Sequence, residues 1–175
     1  MRTKPTLFAL AAFLCASAAS TQAQARVGSD AELWIAASRT ALSITGDIRL
    51  SNSRIQMAGT VVPLRAAGML PGWRTFDGKF VTARLFEVTR PARLTLRNDN
   101  SFGCAEPVRW IVTWRSPDGR DLSLNTYTGR GEPRSGQPSS LRPDQAAELC
   151  GTYLYTRPTR RQAAHSRSRP RRSID

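Results

Sequence analysis

The tetrad Ser116-Pro117-Asp118-Gly119 is the strongest local constraint in the chain. Proline presets φ for a turn, and glycine accepts the left-handed position without steric penalty. Two β-prone arms flank it, residues 108–115 and 120–128, and together they predict an antiparallel hairpin. Trp110, Val112 and Trp114 share a face of the first arm, and Leu122, Leu124 and Thr126 a face of the second. The expectation is that both indoles stack across these leucines in the core, where each ring buries roughly 150–250 Å².

Similar signals surround the hairpin. Leu42, Ile44, Gly46, Ile48 and Leu50 alternate with Ser43, Thr45, Asp47, Arg49 and Ser51, the period of two of a half-buried strand, with Gly46 marking a bulge or bend. Residues 55–58, 61–66, 79–88 and 150–156 read as further strands, and Pro63 places the second of these at an edge or a strand start. Arg93, Leu94, Thr95, Leu96 and Arg97 alternate again. Residues 68–78 and 129–140 read as loops, residues 144–149 as one helical turn, and Asp30 caps a two-turn helix over residues 31–38. About eight short strands joined mostly by short turns make an all-β meander. A single small antiparallel β-barrel is expected because closure removes exposed edges, with a β-sandwich as the alternative.

The first residues read as an address. Arg2 and Lys4 precede an apolar run over residues 7–19, too short to span a bilayer, and Ala23-Gln24-Ala25 presents small residues to a signal peptidase. The expected division is a signal peptide over 1–25, a β domain over 26–156 and a disordered Arg-rich tail over 157–175. Cys15 leaves with the signal, so Cys104 and Cys150 are expected to form one disulfide in a periplasmic or secreted protein. Closing a loop of about 47 residues stabilises a fold by roughly 4 kcal/mol in the chain-entropy model.

The basic excess divides in two. The chain carries 24 Arg and 2 Lys, but residues 26–156 hold a net charge of only +5 while residues 157–175 hold +6. Residues 157–172 contain no Leu, Ile, Val, Phe or Trp, and a stretch so poor in apolar surface does not offset the entropy of ordering. Arg160, Arg161, Arg167, Arg169, Arg171 and Arg172 are the candidate contacts to an anionic surface. In an exported chain that surface is anionic lipid or glycan rather than nucleic acid.

Catalytic signals are sparse. The single histidine, His165, falls in the tail, away from any rigid base–orienter geometry, and the carboxylates Asp47, Asp77, Glu87, Asp118, Asp121, Glu132, Asp144 and Glu148 are scattered. No metal-ligand spacing and no phosphate loop is present, so the expectation is a non-enzyme without cofactor. Trp73, Arg74 and Phe76 form the candidate binding loop, with Trp73 and Phe76 either a lip over a barrel mouth or a plug in its end.

Residues 42–48 (LSITGDI), Asn98-Asp99-Asn100 ahead of Cys104, and residues 149–155 (LCGTYLY) are similar to small exported β proteins of Gram-negative bacteria that carry no assigned activity. The resemblance spans residues 34–156 and implies nothing about substrate. A looser analogy in size, export and single disulfide is to periplasmic β-barrel inhibitors of lysozymes or proteases. The functional expectation is therefore an exported binding or interaction module for a protein partner in the envelope, most concretely an inhibitor of a periplasmic or secreted enzyme. The alternatives are an envelope-associated structural protein held by its basic tail and a small apolar ligand carrier.

Overall fold

Short turns between successive strands force neighbours in sequence to be neighbours in space, and here the last strand returns to the first. The computed structural model describes residues 30–104, 106–135, 147–160 and 162. Its strands are β1 (Glu32–Ala36), β2 (Ile48–Leu50), β3 (Arg54–Met57), β4 (Thr60–Arg74), β5 (Phe80–Val88), β6 (Trp110–Arg115), β7 (Asp121–Tyr127) and β8 (Leu149–Thr156). They pair antiparallel in chain order, and β8 pairs with β1 through Ile35↔Thr156 and Ala36↔Tyr155, closing an eight-stranded barrel. The barrel, not the sandwich, is the fold.

Three local expectations need correction, and one open alternative is decided. Residues 32–36 are strand rather than helix, because β1 bridges β2 and β8, and a two-turn helix competes poorly with two ladders. The alternation from Leu42 to Leu50 is strand only in its second half. Ala41–Thr45 is a π-helical turn in which Ala41 and Thr45 are buried and Leu42 is exposed, so burial follows a spacing of four. Gly46, at φ 61°, ends that turn, and its amide donates to the Ala41 carbonyl at 2.8 Å. Arg93 to Arg97 makes no strand; Thr95 forms an isolated bridge with Ser101, and Arg97–Asp99 is a tight turn. Finally, of the two places Pro63 allows, β4 is not the edge, since it pairs with both β3 and β5; Pro63 lies near its start, one residue before the β5 ladder begins at Leu64. Pro63 is tolerated because its carbonyl meets the Thr89 amide at 3.1 Å just past the end of β5, where a ladder N–H is not needed.

The interior is filled. Trp34, Ile48, Ile55, Met57, Phe86, Ile111, Leu124, Tyr153 and Tyr155 form one buried cluster. At one end of the barrel, Phe102 and Val108 join that cluster and Leu94 and Leu96 pack against it, so the chain between β5 and β6 caps the barrel. The Cys104–Cys150 disulfide, with Cα atoms 5.5 Å apart, ties this cap to the start of β8. The opposite end, bounded by Glu32, Leu50, Arg115 and Leu122, is open.

Two consequences can be measured. The β3–β4 hairpin turns through Ala58 and Gly59 at φ 46° and 82°, between the paired residues Met57 and Thr60. A two-residue turn with both φ positive favours Asn-Gly, and a non-glycine residue in that region costs about 1–2 kcal/mol. Ala58→Asn is expected to raise the unfolding free energy by about 0.5–1 kcal/mol in a urea titration. The second concerns alkaline pH. All three tyrosines, Tyr127, Tyr153 and Tyr155, are buried, and burial pushes each phenol above its ordinary value, Tyr155 furthest. The unfolded chain then releases its phenolic protons near pH 10 while the folded chain keeps them. Stability is full below that pH and falls above it. Absorbance at about 295 nm should show tyrosinate appearing only together with loss of the folded circular-dichroism signal.

Candidate functional site

The stretch expected as a loop over residues 68–78 is the far half of a long hairpin. β4 and β5 stay paired from Leu64↔Val88 to Arg74↔Phe80, and the register shifts between Ala66 and Gly68 and between Leu70 and Trp73. Such bulges bend a ribbon and strengthen its twist. The arm so formed is closed by a turn in which Thr75 N donates to Lys79 O at 2.8 Å and Gly78 N to Thr75 O at 3.0 Å. Lys79 pairs with Asp77 at 2.7 Å, and this contact, with the Thr75 hydroxyl, holds the Asp77 carboxyl down at about 2.

The three candidate residues of this stretch have different roles. Trp73 is buried, its ring 6.4 Å from Trp114 and 6.4 Å edge-on to Tyr127. Phe76 stands at the tip and is 73% exposed, as is Phe80 across the turn. Arg74 is exposed, and its amide donates to Ser135 Oγ at 2.8 Å. Trp73, Arg74 and Phe76 nonetheless line one cleft of about 420 Å³, together with Trp114, Asn125 and Tyr127.

That cleft exists because the β5–β6–β7 wall is packed on both faces. Register sets Trp110 opposite Tyr127, Val112 opposite Asn125 and Trp114 opposite Ser123, while Leu122, Leu124 and Thr126 oppose Arg115, Thr113 and Ile111. The tryptophans and the leucines therefore lie on opposite faces, and the expected stacking of indole on leucine does not occur. Leu122 and Leu124 belong to the interior. Trp110 and Trp114 pack outside it, against a second cluster of Trp73, Ala83, Leu85, Val112 and Tyr127. Within that outer layer Asn125 Nδ2 donates to Tyr127 Oη at 3.3 Å.

The open end of the barrel holds a larger hollow, of about 720 Å³, that the sequence reading did not anticipate. Arg84 and Arg115 enter it from β5 and β6, and Arg54 stands at the start of β3. These residues lie far apart in sequence, and no local pattern there connects them. Only the register, which places Arg84 opposite Thr113, brings them to one mouth.

Cys104 and Cys150 are bonded as expected. Of the tail candidates, Arg160 lies among the described residues and is exposed, whereas Arg161, Arg167, Arg169, Arg171 and Arg172 lie outside them. The stretch expected to be tail begins with a built contact: Arg157 N donates to Arg120 O at 2.8 Å, and its guanidinium carbon lies 5.6 Å from the Trp34 ring centroid. The helical turn expected over residues 144–149 lies mostly outside the described residues, and Leu149 opens β8. Among the described residues no group of three or more His, Cys, Asp or Glu side chains stands together. No helix among them is long and apolar enough to cross a membrane. Comparison with protein families, with curated proteins and with solved structures finds no match to this chain.

The burial of Trp73 and the exposure of Phe76 separate their roles in a simple experiment. Trp73→Ala is expected to cost about 3–5 kcal/mol in denaturant unfolding, as for other buried aromatic truncations. Phe76→Ala should change stability by no more than about 0.5 kcal/mol.

Proposed function

We propose that this chain is an exported binding module whose contact element is the β4–β5 arm. The observation that carries the reading is the arm's tip: Phe76 and Phe80, each 73% exposed, belong to the end of a ribbon that the buried Trp73 anchors just behind the turn. A soluble domain gains nothing for its own stability from such a pair, and exposed aromatics on a rigid support are the usual anchors of protein interfaces. Arg74, exposed beside them, adds a guanidinium suited to a carboxylate on the partner. An inhibitor of a periplasmic or secreted enzyme is the most concrete form, because a narrow hairpin with an apolar tip fits a cleft and is already ordered before it binds. The disulfide supports export, since such bonds persist in oxidising compartments. The apolar-carrier reading draws less support, because the barrel interior is occupied by its own side chains.

The test is capture from an envelope extract by the full chain and by a Phe76→Ala, Phe80→Ala double variant. The wild type should retain a specific protein and, if that protein is a hydrolase, inhibit it. The double variant should bind on the order of 30-fold more weakly, as expected when anchor residues worth about 2 kcal/mol are truncated, with its melting temperature unchanged. Equal retention by both forms would remove the arm from the interface.

A further inference from the structure

The inner face of the barrel changes character toward its open end. On β5 the inward residues run from Val88 and Phe86 to Arg84, and on β6 from Ile111 through Thr113 to Arg115, following their pairing with Leu64, Thr126, Leu124 and Leu122. Two guanidiniums thus replace apolar side chains on the inward face of adjacent strands, where the β5–β6 ladder ends. Arg84 faces Thr113 directly, so Arg115, two residues on, is its diagonal neighbour on the same face. Such neighbours have Cα atoms about 7–8 Å apart, within reach of each other's long side chains.

Each guanidinium is held in place. Arg84 bonds Asn52 Oδ1, and its Cζ lies 5.0 Å from the Phe86 ring centroid. Arg115 pairs with Glu32, and its Cζ lies 5.3 Å from the Trp34 centroid. Resting on aromatic rings orders both cations and spends only part of their five donors each. Two like charges side by side repel, and Glu32 accompanies only one of them. With Arg54, the residues lining the hollow carry three guanidiniums against the carboxylates of Asp30 and Glu32.

We infer that this mouth binds a small organic oxyanion, a sugar acid or sugar phosphate, whose charged group bridges Arg84 and Arg115. A planar or tetrahedral oxyanion between two forked donors is the arrangement arginine pairs recognise best. The volume, about 720 Å³, exceeds the need of a bare ion and suits a ligand with a body. Ser53, Thr82 and Thr113 offer hydroxyls along the wall, where a polyol finds partners. Met69, directly opposite Arg84 on β4, offers apolar surface against which a sugar ring packs. The site stands independently of the arm-tip interface: it uses neither Phe76 nor Phe80.

The full chain is titrated calorimetrically with glucuronate, glucose 6-phosphate, glucose and inorganic phosphate. Saturable binding of either sugar anion, about tenfold tighter than inorganic phosphate and absent for glucose, supports the site and names its charged group. Arg84→Gln and Arg115→Gln should each weaken that binding about tenfold or more. Glu32→Gln, which removes the carboxylate competing for Arg115, should tighten it, a gain that misfolding cannot produce. The inference is overturned if neither sugar anion saturates, if inorganic phosphate binds as tightly as they do, if both Arg variants bind as the wild type does, or if Glu32→Gln leaves the affinity unchanged.

Discussion

The structure depends on a narrow seam. β1 and β8 share only two residue pairs, yet that contact converts an open eight-stranded meander into a barrel without edges. The seam is reinforced by neighbours that are not ladder bonds. The amides of Ala37 and Ser38 both donate to the Leu154 carbonyl, and the Leu154 amide returns a bond to Ser38 Oγ at 3.1 Å. Thr45 in the π-helical turn and Tyr155 on β8 share a buried hydrogen bond of 2.8 Å. Arg115 and Arg157 lie near the ring of Trp34, the large inward residue of β1. A polar bond kept dry beside the seam is worth more than one in water, so these few contacts do much of the closing.

Much of this was legible in the chain. The Pro117-Asp118-Gly119 turn, strands over residues 55–58, 79–88 and 150–156, and the Cys104–Cys150 pair all appear close to where local chemistry puts them. The number of strands agrees for a less satisfying reason: β1 enters and the stretch from Arg93 to Arg97 leaves. Both errors share a cause. Local pattern registers what a segment tolerates, while ladder partners decide what it becomes. The misplaced tryptophans differ, because their signal was present. A hairpin loop with an even number of residues pairs odd positions with even ones, so Trp110, Val112 and Trp114 cannot share a face with Leu122, Leu124 and Thr126. Hydrophobicity alone suggested one core, and loop parity demanded two.

The two-sided wall explains why the candidate sites were only half visible. The arm announces itself through Trp73, Arg74 and Phe76 in one short stretch. The arginine mouth does not, because Arg54, Arg84 and Arg115 meet only after closure and shear have set the register. Composition pointed instead to the terminal arginines, where most of the density of charge lies.

The capped end and the open end give the molecule a polarity. Asp30 and Arg115 both border the mouth, and Arg157 continues the β7–β8 ladder at that same side, so the main chain runs into and out of the barrel there. The Ala58-Gly59 hairpin lies toward the other end, next to strand residues Val61 and Val62 that border the cap. A fluorophore or affinity handle grafted into that remote hairpin therefore stands at the far end of the barrel from the hollow.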